Sequence, residues 1–212
     1  PVEVLIEKVD YPNRSRGVIL ETREYDEIDR FLEIENDYKR RVKGAKTVAK
    51  GGIEGQIYRA IKKRTRDGAK EVKYLELIER SPLEKESQCK TSDICGGCSY
   101  QTLPYETELL IKRDQIIRLF SSVDIKDRLG KPINVSMYRS PSEVGYRNKM
   151  EYTFGDSEKG GELKLGLHRP NHFYEIVETP ECNIVPNDFN LLRKEIQSFF
   201  IEKGISYYHR AK

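Results

Sequence analysis

The chain has 212 residues, 37% hydrophobic and 34% charged. That balance is hydrophilic but still compatible with folding, because thirteen Tyr and seven Phe supply core material where Trp is absent. The length sets one or two domains as the expectation and is short for many complete two-substrate enzymes. No apolar run approaches the ~20 residues of a bilayer span, and the charged start Pro1-Val2-Glu3 lacks signal-peptide character. A membrane role and secretion are therefore set aside, with the cytoplasm as the expected compartment.

Net charge is only +3, but it is unevenly distributed. Glu21 to Asp37 carries eight acidic residues against two basic ones, whereas Lys39 to Lys73 carries thirteen basic residues against three acidic ones. The second block is a candidate polyanion footprint, with Lys62, Lys63, Arg64 and Arg66 its densest part. A solvated basic surface with no partner is the competing reading of the same charges.

In chain order, Val2, Val4 and Ile6 alternate with Glu3, Leu5 and Glu7. Further strand-like runs follow at Gly17–Leu20, Gln56–Ile61 and Val72–Ile78, separated by glycine turns such as Gly51-Gly52. Short strands with glycine turns predict a small β-barrel, OB-like in size, over residues 1–82. Residues 21 to 37 show no clean period beyond Ile28, Phe31, Leu32 and Ile34 and are left unassigned. Ser81-Pro82 ends this module, and the polar stretch from Glu84 to Gln88 reads as a linker.

Residues 83–212 predict an α+β domain. A helix follows Pro104, with Tyr105, Leu109, Ile116, Ile117 and Phe120 on one side. A second helix has Asn187 as N-cap, Phe189, Leu192, Ile196, Phe199 and Phe200 as its stripe, and Gly204 as its stop. Both stripes are expected to be core. Between the helices, Tyr146, Met150, Tyr152 and Phe154 predict one strand and Leu163, Leu165 and Leu167 another. If the two pair, Arg147, Lys149, Lys164 and His168 share the polar face, a second candidate surface for a polyanion.

Four cysteines, Cys89, Cys95, Cys98 and Cys182, form the pattern C-x5-C-x2-C with a distant fourth. In a chain without secretory character this points to a metal or cluster before disulfides. A [4Fe–4S] cluster takes one thiolate per iron, and Gly96-Gly97 lets the backbone bend closely around it. Tetrahedral zinc accepts the same four ligands, though its structural sites more often pair two short knuckles. Unliganded thiols are the third reading. Four protein ligands leave no open coordination position, so the first role of such a site is structural.

The string Cys89-Lys-Thr-Ser-Asp-Ile-Cys95-Gly-Gly-Cys98-Ser-Tyr-Gln101 is followed by Tyr105 and by Leu109 through Lys112. Together with Tyr146-Arg147-Asn148-Lys149, Leu165-Gly166-Leu167-His168-Arg169 and Cys182, it resembles the iron–sulfur branch of the RNA uracil-5 methyltransferases. Gly51 to Gln56 and Leu77 to Pro82 are similar to the second half of the TRAM domain, the OB-like RNA-binding barrel of that family. The resemblance implies a [4Fe–4S] cluster on Cys89, Cys95, Cys98 and Cys182 and a cytoplasmic monomer. It also implies an RNA substrate, 23S rRNA, in which 5-methyluridine is formed with S-adenosylmethionine as methyl donor. RNA would be held by Lys62, Lys63, Arg64 and Arg66 in the first module and by Arg147, Lys149 and Arg169 in the second. In the family a cysteine thiolate adds to C6 of a flipped-out uracil, C5 takes the methyl group, and a carboxylate removes the C5 proton. The chain departs from the family in its long acidic insertion before the Gly-Gly segment. It also lacks the Rossmann-like catalytic domain that binds S-adenosylmethionine, and it has no cysteine beyond the four ligands. Alone it is expected to be inactive. A stand-alone RNA-binding module with a structural zinc on the four cysteines is the alternative, and an electron-transfer protein is disfavoured by the cysteine spacing.

Overall fold

The computed structural model describes residues 1–24, 39–123, 126–131 and 134–208. Most of the acidic stretch, including Ile28, Phe31, Leu32 and Ile34, lies outside the described residues. Two compact units emerge, one of residues 1–84 and 111–135, the other of residues 85–110 and 136–212.

The first unit is a closed five-stranded barrel. Strands β1 (Val2–Asp10), β2 (Arg14–Glu24), β3 (Lys39–Lys50), β4 (Ile57–Arg66) and β5 (Ala69–Glu79) are ordered β1-β2-β3-β5-β4. Neighbours are antiparallel except β3 and β5, which pair in parallel at Thr47 with Lys70 and Val48 with Glu71. The closing pair of β1 with β4 sets Val4 opposite Tyr58. This is an OB-like barrel, closed between β3 and β5 over those two parallel residue pairs. β3 is the strand that sequence patterning misses, because its lysines and arginines mask the short apolar alternation of Ala45, Thr47 and Ala49.

Alternation decides what goes inside. Val4, Ile6, Val9, Ile19, Ala60, Val72 and Tyr74 form the buried core. Val4 and Ile6 on β1 and Val72 and Tyr74 on β5 keep period two, and the irregularity between Ile6 and Lys8 shifts the phase so that Val9 is buried as well. Tyr74 stacks on Tyr58 with ring centroids 4.4 Å apart, and its hydroxyl meets Ser15 Oγ at 2.8 Å. Glu84 is part of this unit rather than the start of a free linker. Its side chain is only 3% exposed and accepts hydrogen bonds from Gln56 Nε2 at 2.8 Å and the Ser81 N–H at 2.7 Å. A carboxylate this buried needs such donors, which a polar-composition argument does not anticipate.

Helix α1 (Tyr105–Leu119) begins just after Pro104, whose carbonyl accepts the Glu108 N–H at 3.0 Å. Its residues from Ile111 onward belong to the barrel unit. The predicted apolar stripe is not what anchors them. Ile117 and Phe120 are exposed, and the buried residue of the helix is Gln115. Gln115 Nε2 and Arg118 Nη2 donate to the Val9 carbonyl at 3.2 and 2.8 Å, and Arg118 Nε bonds Asp10 at 3.1 Å. Polar anchoring of this kind satisfies a strand-end carbonyl that would otherwise be left without a partner.

In the second unit, β6 (Thr153–Gly155), β7 (Lys164–Arg169) and β8 (His172–Glu178) form an antiparallel meander. The predicted pairing of 146–154 with 163–168 survives only at its end, Thr153 opposite Gly166 and Phe154 opposite Leu165. Residues 146–152 are not a strand, so Arg147 and Lys149 do not share a sheet face with Lys164 and His168. The N–H groups of Gly145 and Arg147 bond the carbonyls of Asn183 and Ile184 instead, both at 2.9 Å. Alternation therefore predicts a strand here that the structure does not form before Thr153.

Helix α2 (Asn187–Glu202) packs on β7 through Arg193, which is 2% exposed and donates to the Leu165 carbonyl at 2.9 Å, and on β6 through Phe200 against Phe154. Its N-cap is Pro186 with no side-chain cap, so Asn187 does not cap it. Gly204, at φ +63°, ends it in the left-handed region as expected, with the Ile205 N–H returning to the Phe200 carbonyl at 2.9 Å. Leu192, Ile196 and Phe199 are exposed rather than core. Among the described residues no helix is long and apolar enough to cross a membrane.

Candidate metal centre

All four cysteines belong to the second unit. Cys89 and Cys95 are half-buried, Cys98 is exposed as a residue, and Cys182 is buried. The loop carrying the first three is a series of tight turns, with the Cys95 N–H bonded to the Thr91 carbonyl at 2.8 Å and the Ser92 N–H to that of Cys89 at 3.1 Å.

This loop is tied to the sheet at Gly96, whose N–H donates to the His168 carbonyl at 3.0 Å. A Cβ at Gly96 would stand 2.6 Å from that same carbonyl oxygen, so only glycine allows the approach. One residue on, the Gly97 N–H lies 3.4 Å from Cys95 Sγ, a backbone dipole directed at a sulfur. A second tie joins the loop to the segment of the fourth cysteine. Lys90, next to Cys89, bonds Glu181, next to Cys182, at 2.7 Å.

Cys182 is held from both sides by one amide. Its N–H donates to Asn190 Oδ1 and its carbonyl accepts from Asn190 Nδ2, each at 3.1 Å. Asn190 lies in the first turn of α2, and Ile184, Val185, Met150 and Phe189 pack around the cysteine.

The thiols act on one another electrostatically. Burial pushes the Cys98 thiol up to about 11, and Cys182, Cys95 and Cys89 add to the rise while Arg147 opposes it. Cys95 is also raised, first by burial and then by Cys89 and Cys182, against the Gly97 N–H. Sulfurs that disfavour each other's ionisation are a site that a cation completes, because metal binding replaces the protons and cancels the repulsion. The donor set therefore fits a thiolate-held metal group. Among the described residues, no three His, Cys, Asp or Glu side chains stand closely enough to hold one metal ion.

The basic residues expected to meet RNA fall into two sets. Lys62, Lys63 and Arg64 lie in β4, where Ile61 to Thr65 are all exposed ahead of the Asp67-Gly68 turn. Lys62 and Lys63 make no ion pair among the described residues, whereas Arg64 Nε bonds Glu71 at 3.0 Å. Arg66 ends the same strand, its side chain outside the described set. In the second unit Lys149 pairs with Glu151 at 2.8 Å and Arg169 with Glu175 at 3.0 Å. Arg147 stands apart, exposed and close enough to Cys98 to lower its pKa. Sequence reasoning missed Lys90, Glu181 and Asn190, although a charge of opposite sign beside each of two distant cysteines was a readable signal.

The fold defines a chain with an OB-like barrel and an α+β unit that carries all four cysteines. The chain belongs to the RNA methyltransferase family. An uncharacterized RNA methyltransferase of Caldanaerobacter subterraneus subsp. tengcongensis is 43% identical over 161 residues, 76% of this chain and 35% of that protein. Another, from Clostridium acetobutylicum, is 38% identical over 165 residues, 77% of this chain and 35% of the relative. The chain thus spans about a third of the length of these curated relatives. The crystal structure of Pyrococcus abyssi tRNA (uracil-54, C5)-methyltransferase in complex with S-adenosyl-L-homocysteine superposes with a TM-score of 0.51. It shares 18% identity, over 97% of this chain and 38% of that one, a likeness of fold. No family model matches the chain.

Proposed function

We propose that the whole protein is an S-adenosylmethionine-dependent RNA uracil-5 methyltransferase forming 5-methyluridine in 23S rRNA. In it, residues 1–82 would serve as a TRAM-type RNA-binding barrel and residues 83–212 as a [4Fe–4S]-binding α+β domain. The observation that carries the reading is the Lys90–Glu181 ion pair at 2.7 Å, which brings the chain neighbours of Cys89 and Cys182 together across some ninety residues, in a chain with RNA methyltransferase relatives. The fold likeness to a uracil-5 methyltransferase solved with S-adenosyl-L-homocysteine supports the methyl donor and the target base.

The four cysteines would hold the cluster, whose contribution is to staple the loop, the sheet and α2 together. A tetrahedral zinc site would need sulfurs about 3.8 Å apart, from Zn–S bonds of ~2.3 Å, whereas a cubane spreads four thiolates over four irons. The cluster is the better match to the cysteine spacing, in which only Cys95 and Cys98 form a short knuckle. Free thiolates committed to a metal also fit a reducing compartment, the cytoplasm.

RNA would be held through phosphates by the hairpin of β4 and β5, where Lys62 and Lys63 lie exposed beside Arg64 and Arg66. Among the described residues the only parallel pairing of named strands is β3 with β5. No doubly wound sheet offers a seat for S-adenosylmethionine there, and with all four cysteines assigned as ligands no nucleophile remains. This chain alone would therefore bind RNA and transfer no methyl group.

The test is anaerobic purification with an absorption spectrum, iron and sulfide analysis, and RNA-binding titrations at several salt concentrations. Four irons and four sulfides per chain with salt-dependent RNA binding support the reading. One zinc and no iron overturns the cluster in favour of a structural zinc module, and methyl transfer by this chain alone overturns the division of labour.

A further inference from the structure

Four thiolates around a dipositive zinc or a [4Fe–4S] core of the same charge leave roughly two units of negative charge uncompensated. A site of this kind gains from a nearby cation that is not already neutralised. Several charged side chains of the second unit are already paired. Lys90 is paired with Glu181, Lys149 with Glu151, and Arg169 with Glu175. Arg139 is paired with Glu106 and Glu143. Among the described residues Arg147 makes no ion pair.

Its backbone is also fixed against the segment of the fourth cysteine. The Arg147 N–H donates to the carbonyl of Ile184, two residues after Cys182, at 2.9 Å, and the Gly145 N–H does the same to Asn183. These two bonds run residues 145–147 alongside 183–184 and hold the Cα of Arg147 beside the site whatever its side chain does.

We propose that Arg147 is the charge partner of the four-thiol site, a positioning residue whose guanidinium offsets the excess negative charge of the metallated centre, and is not an RNA contact. An arginine suits this role because it is always charged and weakly hydrated. The inference rests on the four cysteines being metal ligands and is independent of whether iron–sulfur or zinc is resident, since the excess charge is the same.

The test is an anaerobic titration of the metal-free chain with Co²⁺ alone, followed by the sulfur-to-cobalt absorption. Arg147→Gln is expected to weaken Co²⁺ binding on the order of tenfold, as neighbouring-shell changes do at metal sites. Arg147→Lys should restore most of the affinity, Lys149→Gln should leave it unchanged, and the Arg147→Gln deficit should shrink as salt rises. In parallel, Arg147→Gln should leave the salt dependence of RNA binding unchanged. Equal Co²⁺ affinity of wild type and Arg147→Gln would overturn the proposal with the metal-site reading intact. So would an Arg147→Lys defect as large as that of Arg147→Gln, or an RNA salt slope lowered by about one in Arg147→Gln. A wild-type chain that binds no Co²⁺ and takes up no cluster on anaerobic reconstitution with iron and sulfide would overturn both.

Discussion

Lys90 Nζ lies 2.7 Å from the Glu181 carboxylate, and each residue is the immediate chain neighbour of a cysteine of the four-thiol site. The pair joins the loop of Cys89, Cys95 and Cys98 to the segment of Cys182 at its solvent face, and Glu181 holds the Lys90 ammonium above its usual pKa by a hydrogen bond and by its charge.

Reversing one charge should loosen this tie. Lys90→Glu or Glu181→Lys is expected to lower Co²⁺ or cluster retention by about twofold to fivefold, a modest effect because both side chains are exposed. The double exchange Lys90→Glu with Glu181→Lys should recover most of the loss. Metal retention against a chelator, measured for the four proteins, checks the coupling.

Arg193 is the buried cation of the second unit. Its Nη1 donates to the Leu165 carbonyl and to Gln197 Oε1 at 2.9 and 2.7 Å, and Glu178 lies at 3.3 Å. Arg193→Ala removes the packing of α2 on β7 and leaves a buried carbonyl unpaired, so it should cost about 2–4 kcal/mol. Denaturant unfolding followed by far-UV circular dichroism would register this as a lower midpoint.

Tyr74 gives the barrel an alkaline limit. Burial holds its phenol above the usual pKa, with the Ser15 hydrogen bond opposing. A group whose folded pKa is raised stays protonated in the barrel while the unfolded chain ionises, so its stabilisation is complete below about pH 10 and is lost as pH rises through the folded value. Tyr74→Phe should cost about 1 kcal/mol at neutral pH through the orphaned Ser15 hydroxyl. The stability of Tyr74→Phe should then fall less steeply than wild type above about pH 10, a difference that unfolding curves at stepped pH would reveal.

Lys62 and Lys63 are the exposed, unpaired cations of the β4–β5 hairpin. Replacing both with Gln should weaken RNA binding for all sequences alike and reduce the slope of log affinity against log salt by about two. Arg64→Gln should do less, because Glu71 already engages that guanidinium. Filter binding at several salt concentrations distinguishes these outcomes.

The barrel was largely legible in the sequence because its core residues sit at period two on β1, β4 and β5. The four cysteines stand out as a set in the sequence because of their spacing and number, and all four lie in the second unit. β3 was not legible, since its inward positions are occupied by small residues between lysines. Nor were the helix faces. The stripe of α1 looked like core, yet Gln115 and Arg118 hold it through the carbonyl of Val9, and most of the stripe of α2 is exposed while Arg193 is buried.

The sequence by itself determined which residues could do chemistry: four thiols with room to bend between them, and a basic block separate from an acidic one. Only the tertiary structure decided which of the cations are still available. Ion pairs form between residues as close as Lys149 and Glu151 and as distant as Lys90 and Glu181. A charge in the sequence therefore carries no statement of whether it is spent, because that depends on which carboxylate the fold brings within about 4 Å. Arg147, which the sequence ranked with the other basic residues, is set apart by the two backbone hydrogen bonds that run its segment beside that of Cys182.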